Sequence, residues 1–461
     1  MNQPIKKIFL FSLTAFAVLS CRKEPVIESY NGPAGEQAAG SCTVYDQTSY
    51  AFSYKVNGLT SDEAAQFFVG NSFFNQNWVE APSTTTARDG LGPLFNAKSC
   101  AGCHFRDGRG LPMKNEGLLF RMGTPSTSLA GSVLDAIYAG QLQDHGISNI
   151  DSEGDMDISY TEIQGTYPDG TPYSLRVPSY SVSGQNYGSV TASVRFSPRI
   201  ANQMVGLGLL ELIPESSIIA RADANDKNND GISGRPNFVA DVLSGGYSLG
   251  RFGWKANVPN IPQQVAGAFN GDIGITSSIF PNDNHTASQT ACNGLPNGGS
   301  PEIGDDNLNA VILYSRVLAV PAQRNNRSAD FIAGQALFKS LNCVGCHTPR
   351  HTTGSNGSIS ALKNIVIYPF TDLLLHDMGP GLADGLPDYK ATGSEWRTPP
   401  LWGLGLIQTV NNHTYLLHDG RARNFEEAIL WHGGEAEKSK SLFMLLPKTQ
   451  REQLLFFLGS L

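Results

Sequence analysis

Two short tracts constrain this chain more than anything else in it: Cys100-Ala101-Gly102-Cys103-His104 and Cys343-Val344-Gly345-Cys346-His347. Each reads C-x-x-C-H, the attachment sequence of a covalently held c-type haem. In that chemistry both thiols become thioethers on the porphyrin, and the adjacent imidazole turns beneath it as the proximal iron ligand. Two tracts so far apart call for two separate pockets. They point to electron transfer or peroxide chemistry rather than to hydrolysis.

A bare C-x-x-C pair has other readings. Two pairs could form a four-cysteine zinc site, and one pair could be a thioredoxin-like dithiol couple. Neither requires a His directly after the second Cys, still less twice, and zinc pairs usually lie closer in sequence. The expected cofactors are therefore two covalently bound haem c groups.

The N-terminus carries Lys6 and Lys7, an apolar run from Ile8 to Leu19, and then Ser20-Cys21. That is the pattern of an export signal over residues 1–20, and the run is short for a membrane span. Val18-Leu19-Ser20-Cys21 resembles a bacterial lipobox, which implies cleavage before Cys21 and membrane attachment through its lipidated thiol. The alternative is an ordinary signal cut further on. The expectation is an exported protein, periplasm-facing or a cell-envelope lipoprotein. Of seven cysteines, Cys42 and Cys292 remain unassigned, and in an oxidising compartment they are candidates for a disulfide.

The net charge is −8, and loss of Lys6 and Lys7 with the signal makes the mature chain more acidic. No basic cluster suggests nucleic-acid binding. An acidic surface suits a basic or dipolar electron-donor protein, although it also serves simple solubility. Charged residues are only 16% of the chain while Gly (49) and Pro (26) are plentiful, so long loops are expected.

The organisation follows. Residues 21–45 read as a tether. Residues 46–323 read as an N-terminal haem domain, enlarged by a β-containing insertion at about 125–200. Residues 324–461 read as a C-terminal cytochrome c domain. Thr60 to Glu63 form a capping box that opens a helix. Tyr160 to Val182 alternate loosely about the turn Pro168-Asp169-Gly170, the pattern of strands. Met204–Leu212, Asp305–Val320 and Ala329–Leu341 read as helices, the last delivering the second tract. Asn424 caps another helix, and Pro447 opens the final one. The fold class expected is mainly α, with two cytochrome c-like domains.

Each iron's sixth position sets its chemistry. For the second haem the candidates are Met378, in a Gly/Pro loop, and His432, at the end of the Asn424 helix, with His376 and His418 behind them. For the first haem Met113, Met122, Met204 and His145 are available and none stands out, which is compatible with an open, reactive iron.

Over nearly the whole mature chain the sequence resembles the di-haem oxidoreductase branch of the bacterial di-haem cytochrome c peroxidase superfamily, also labelled thiol oxidoreductases. The resemblance lies in Gly92–His104 with Asp107-Gly108-Arg109-Gly110, in Gly206–Glu211, Asp230–Arg235 and Gly250–Ala256, and in His376–Asp384, Arg397–Gly403, Leu417–Ala422 and Glu426–Gly434. It implies two facing cytochrome c domains, with peroxide meeting the N-terminal haem and electrons entering at the C-terminal one. It also implies an aromatic residue and a calcium ion between them, with Trp254 as the inter-haem candidate. One departure matters. Where the peroxidases place a Met ligand near the chain end, this sequence has His432, which would make the second haem bis-His, so His432 is preferred over Met378.

Asp226, Asn228, Asp230 and Gly231 follow the start of an EF-hand loop, with the Ile232 carbonyl as a further donor. The closing Glu is missing, since Asn237 stands in its place. The cluster Asp151, Glu153, Asp155 and Asp157 reads as a solvated loop. Glu211, Glu116 and Glu215 are the acids available for proton transfer beside the first haem. The expected function is a di-haem redox enzyme of peroxidase type. It would pass electrons from a soluble cytochrome or cupredoxin to peroxide or a similar small oxidant. A non-catalytic di-haem carrier and a haem-dependent thiol oxidoreductase are the alternatives.

Overall fold

The computed structural model describes residues 38–114 and 116–461. The signal, Cys21 and most of the tether fall outside them. Helices form where local signals are strongest. Helix α1 (Ser61–Asn75) begins at a complete capping box, in which Thr60 Oγ1 accepts from the Glu63 amide and Glu63 reaches back to the Thr60 amide. Helix α2 (Asp305–Val317) stops short of Val320, because Leu318 turns extended and Val320–Pro321 pairs in parallel with Thr43–Val44. Helix α3 (Ala329–Ser340) is capped by Ser328, and α4 (Phe425–Trp431) by Asn424. Helix α5 (Lys448–Ser460) follows Pro447. The helix expected over Met204–Leu212 is only Leu207–Glu211.

The expectation of a mainly α fold of two cytochrome c-like domains is wrong. Helix accounts for only 29% of the described residues and strand for 19%. The strands are spread over seven small sheets among the described residues. Strand β1 (Leu118–Pro125) pairs antiparallel with β4 (Arg195–Ile200). Between them in sequence, β2 (Asp155–Thr166) and β3 (Pro172–Ser183) form a long antiparallel ribbon, from Asp155↔Ser183 to Thr166↔Pro172. The abundant Gly and Pro explain the outcome. They break helices and send backbone hydrogen bonds into turns and short pairings instead.

The helices repeat one arrangement. Helix α1 packs on α2 at Gly70, where an added Cβ would lie 2.1 Å from the Ala310 carbonyl oxygen and 2.7 Å from the Tyr314 Cβ. Helix α3 packs on α5 at Gly334, where an added Cβ would lie 2.1 Å from the Gln453 oxygen and 2.7 Å from the Phe457 Cβ. Only glycine permits either approach. One apolar core then runs through both halves, from Phe52 and Phe74 to Trp402 and Phe457. No helix of the described residues is long and apolar enough to cross a membrane.

Candidate functional site

The second tract follows α3 directly. Asn342 turns left-handed (φ 60°), and Cys343–Gly345 form a single helical turn. The His347 Nδ1 lies 3.0 Å from the Phe370 carbonyl oxygen. A carbonyl only accepts, so Nδ1 carries the proton and Nε2 keeps its lone pair. Phe338 of α3 flanks the imidazole at 6.2 Å. The tract opens on a cavity walled by leucines, Phe425 and Phe443. Its lining of leucines and aromatic rings suits the apolar face of a porphyrin. The chemistry of the donor set fits a haem too: two thiols and an imidazole stand on one wall.

His432 lines the same cavity from the end of α4. Its Nδ1 lies 2.6 Å from the Ala428 carbonyl oxygen, so its Nε2 is likewise left to accept. Burial pushes His347 down to about 4, and lowers His432 as well. Both rings are therefore neutral, the state a metal requires of imidazole. Met378 also lines this cavity. His376 does too, but both its nitrogens are engaged, Nδ1 with Glu435 (2.7 Å) and Nε2 with Asp372 (2.9 Å). Burial alone would lower its pKa, yet hydrogen bonds to Asp372, Cys346 and Glu435 win and raise it well above the ordinary value. His418 stacks face to face on Trp396 at 3.8 Å. The Lys255 ammonium lies over the Trp396 ring at 4.3 Å, itself paired with Asp384.

The first tract is built to the same plan. Phe74 of α1 flanks His104 at 6.2 Å, and the His104 Nδ1 lies 2.6 Å from the Asn202 carbonyl oxygen. Behind it the plans diverge. Tyr314 donates to Asp107 Oδ1 and Ser53 to Oδ2, both at 2.6 Å, whereas the matching position in the second half is the apolar Phe457.

Polar side chains missed at the sequence level converge on this tract. Asp272 faces its cysteines and His104, whose charges it perturbs. Gln141 Nε2 donates to Asp272 Oδ1 at 2.8 Å and to Asn96 Oδ1 at 2.7 Å. The alternation of β1 sends Phe120 and Met122 into the Trp254–Trp396 cluster and Arg121 to the opposite face. There Arg121 lies within the field of Asp272. Burial raises the Asp272 carboxyl, with Arg121 and Gln141 opposing. The sequence holds no local signal for this trio, because its members come from three separate segments.

Other expected site residues have definite places. Glu211 accepts from Arg316 Nε at 2.7 Å and from the Ile261 amide at 2.8 Å. Both oxygens are thus spent on packing. Glu116 and Glu215 are exposed. Met113 is exposed, and Met122 is buried. Met204 packs against the main core, and His145 stacks on Phe95 with its Nδ1 on Asp144. Trp254 lines the second cavity, donates Nε1 to the Ile200 carbonyl at 2.8 Å, and carries the Arg109 guanidinium over its face at 5.3 Å. Arg109 follows the first tract by a few residues, so the pair spans from one site to the other.

In the loop proposed for calcium, the side chains serve the loop's own amides. Asp226 accepts from Asp230 and Gly231, Asn228 from Asp230, and Asp230 from Ile232. Asn237 is buried and donates to the Lys255 carbonyl. Among the described residues no group of three or more His, Cys, Asp or Glu gathers to hold a metal ion. That also leaves the two C-x-x-C pairs apart rather than joined around zinc. Burial raises all four tract thiols, Cys100 and Cys343 to about 12. A reactive dithiol needs the opposite shift. Cys42 and Cys292 are free thiols in different surroundings, not a disulfide. Cys42 donates to the Ala361 carbonyl, and Cys292 sits by Tyr187.

Neither a curated protein nor a solved structure matches the chain. One family model does, over residues 34–116 and 124–461, and its description reads "Di-haem oxidoreductase, putative peroxidase". That match spans nearly the whole chain and takes in both C-x-x-C-H tracts, so the chain belongs to the di-haem oxidoreductase family.

Proposed function

We propose that this protein is an exported, lipid-anchored c-type enzyme. It takes electrons from a soluble cytochrome or cupredoxin at its second site and delivers them to peroxide, or a similar small oxidant, at its first. One observation carries the reading. Of the nine histidines, three have Nδ1 on a main-chain carbonyl: His104, His347 and His432. The others spend their nitrogens differently or stack on aromatic rings. Anchoring one ring nitrogen so that the other is aimed is how proteins orient a ligating imidazole. Three such ligands for two irons favour two at the second iron, His347 and His432, and one at the first.

When bound, haem supplies an iron that exchanges electrons and, where one face is free, binds a small oxidant. The four cysteines hold the two groups as thioethers. Reduction of peroxide to two waters consumes two electrons and two protons. Asp272 is the proton-bearing group we assign to the first site, held by Gln141 and opposed by the charge of Arg121. Its buried carboxyl keeps a proton to higher pH than an exposed one, as an acid–base group must. Trp254 and Arg109 bridge the two sites.

Electron paramagnetic resonance of the ferric holoprotein tests this. The expected spectrum holds one low-spin bis-imidazole signal and one high-spin signal, and peroxide changes only the latter. In His432→Ala the low-spin signal should be lost. Two low-spin irons that ignore peroxide would make the protein an electron carrier instead.

A further inference from the structure

Between the two sites lies a small cleft lined by three arginines, Arg109, Arg251 and Arg397. Arg109 and Arg397 are 6% and 5% exposed. Elsewhere the ion-paired arginines are Arg199, Arg235, Arg316, Arg421, Arg423 and Arg451. None of the three in the cleft forms an ion pair among the described residues. Their hydrogen bonds run to main-chain oxygens: Arg251 to Ile213 (2.7 Å) and Leu210 (3.2 Å), Arg397 to Gly253 (2.8 Å) and Thr398 (3.1 Å), Arg109 to Leu417 (3.4 Å). The Arg109 Nε is buried with no partner.

Three cations crowded into one cleft with no carboxylate in direct contact are costly, because Glu211 and Glu215 reach Arg251, and Asp372 reaches Arg397, only beyond ion-pair distance and repay little of the desolvation. The arrangement therefore asks for an acidic ligand. The cleft continues into the second cavity, since Arg109 and Arg397 line both. A porphyrin seated in that cavity brings two carboxylates of its own, and guanidinium binds carboxylate in a matched, two-pronged geometry.

We propose that the Arg109–Arg251–Arg397 cleft is a carboxylate-binding site that holds the porphyrin propionates of the second haem. This rests on the di-haem reading. The site has a functional consequence. Each guanidinium disfavours the ferric state, which carries one more positive charge than the ferrous. Arg109, which also caps Trp254, then places part of that bias on the path to the first site.

The test is a redox titration of the holoprotein, following each haem by its spectrum, with haem counted by pyridine haemochrome. Arg397→Gln should shift the midpoint potential of the low-spin haem downward while two haems remain bound. Arg397→Lys, which keeps the charge, should stay near the native value. Arg109→Gln should repeat the downward shift, so that a failure of one variant to fold does not end the test. Native protein is also titrated with inorganic phosphate, with no change expected. An unmoved potential in a two-haem Gln variant overturns the proposal. A potential that follows phosphate in native protein but not in Arg397→Gln also overturns it, by naming a free oxyanion as the occupant. Native protein with fewer than two haems would instead defeat the di-haem reading itself.

Discussion

Glu153 is a carboxyl placed where water is nearly absent, at 2% exposure. It accepts from the Gln143 amide and from Gln289, which favours the charged form, yet burial dominates and pushes it up from 4.5 to about 8. The folded chain therefore binds a proton that the unfolded chain gives up between those two values. The sign follows from linkage: this group's contribution is full below pH 4.5 and is lost as pH rises toward 8. A single group can change stability by no more than about 1.4 kcal/mol per pH unit. Glu153→Gln removes the titration. Melting temperatures across that window should show the variant gaining on the native protein as pH rises. A constant offset would mean that Glu153 does not change charge there. At this scale the family was legible in the two C-x-x-C-H tracts, because their signal is local and needs no remote partner. Glu153 was read as part of a solvated acidic loop, since the Gln289 that encloses it lies 136 residues away. Asp272 was missed for the same reason.

Single elements were more legible, where their signals are local. The box at Thr60, the cap at Asn424, and the strand alternation near Tyr160–Val182 each depend on a few adjacent residues. The repeated helix pair was not visible. Gly70 and Gly334 share a role, but nothing in the flanking residues announces it, because the partners Ala310 and Gln453 arrive from distant helices. That pair sets where Phe74 and Phe338 stand against the imidazoles of His104 and His347. Gly334→Ala must therefore push α5 away from α3, at about 1–3 kcal/mol for an overpacked contact. Denaturant unfolding should register that loss. The spectrum of the second haem should broaden while that of the first stays native. Gly70→Ala should do the reverse. Equal disturbance of both haems by either change would show that the helix pairs do not position the sites separately.

The whole molecule departs furthest from what its sequence suggests. Helical signals are strong and nearby, so they weigh heavily in any reading along the chain, whereas small sheets are made by remote partners such as Thr43–Val44 and Val320–Pro321. Those remote pairings also tie the two halves together. Gln203 donates to the Trp402 carbonyl at 2.6 Å, and Trp402 packs fully buried against Gly206. The β2–β3 ribbon of the first half reaches over the second. There Arg176 donates to the Gly420 and Arg421 carbonyls at 2.8 Å, and Tyr180 donates to Asp419 at 2.7 Å. Either half alone would expose its share of the common apolar core and leave those groups without partners. The holoprotein should accordingly unfold in one calorimetric transition, with both haem spectra changing at the same temperature. Residues 324–461 expressed alone should fail to fold or to keep a native haem spectrum. Two well-separated transitions, each carrying one haem signal, would show that the halves are independent units. The shared core would then be a contact surface, and the Trp254–Arg109 bridge would join two bodies free to part.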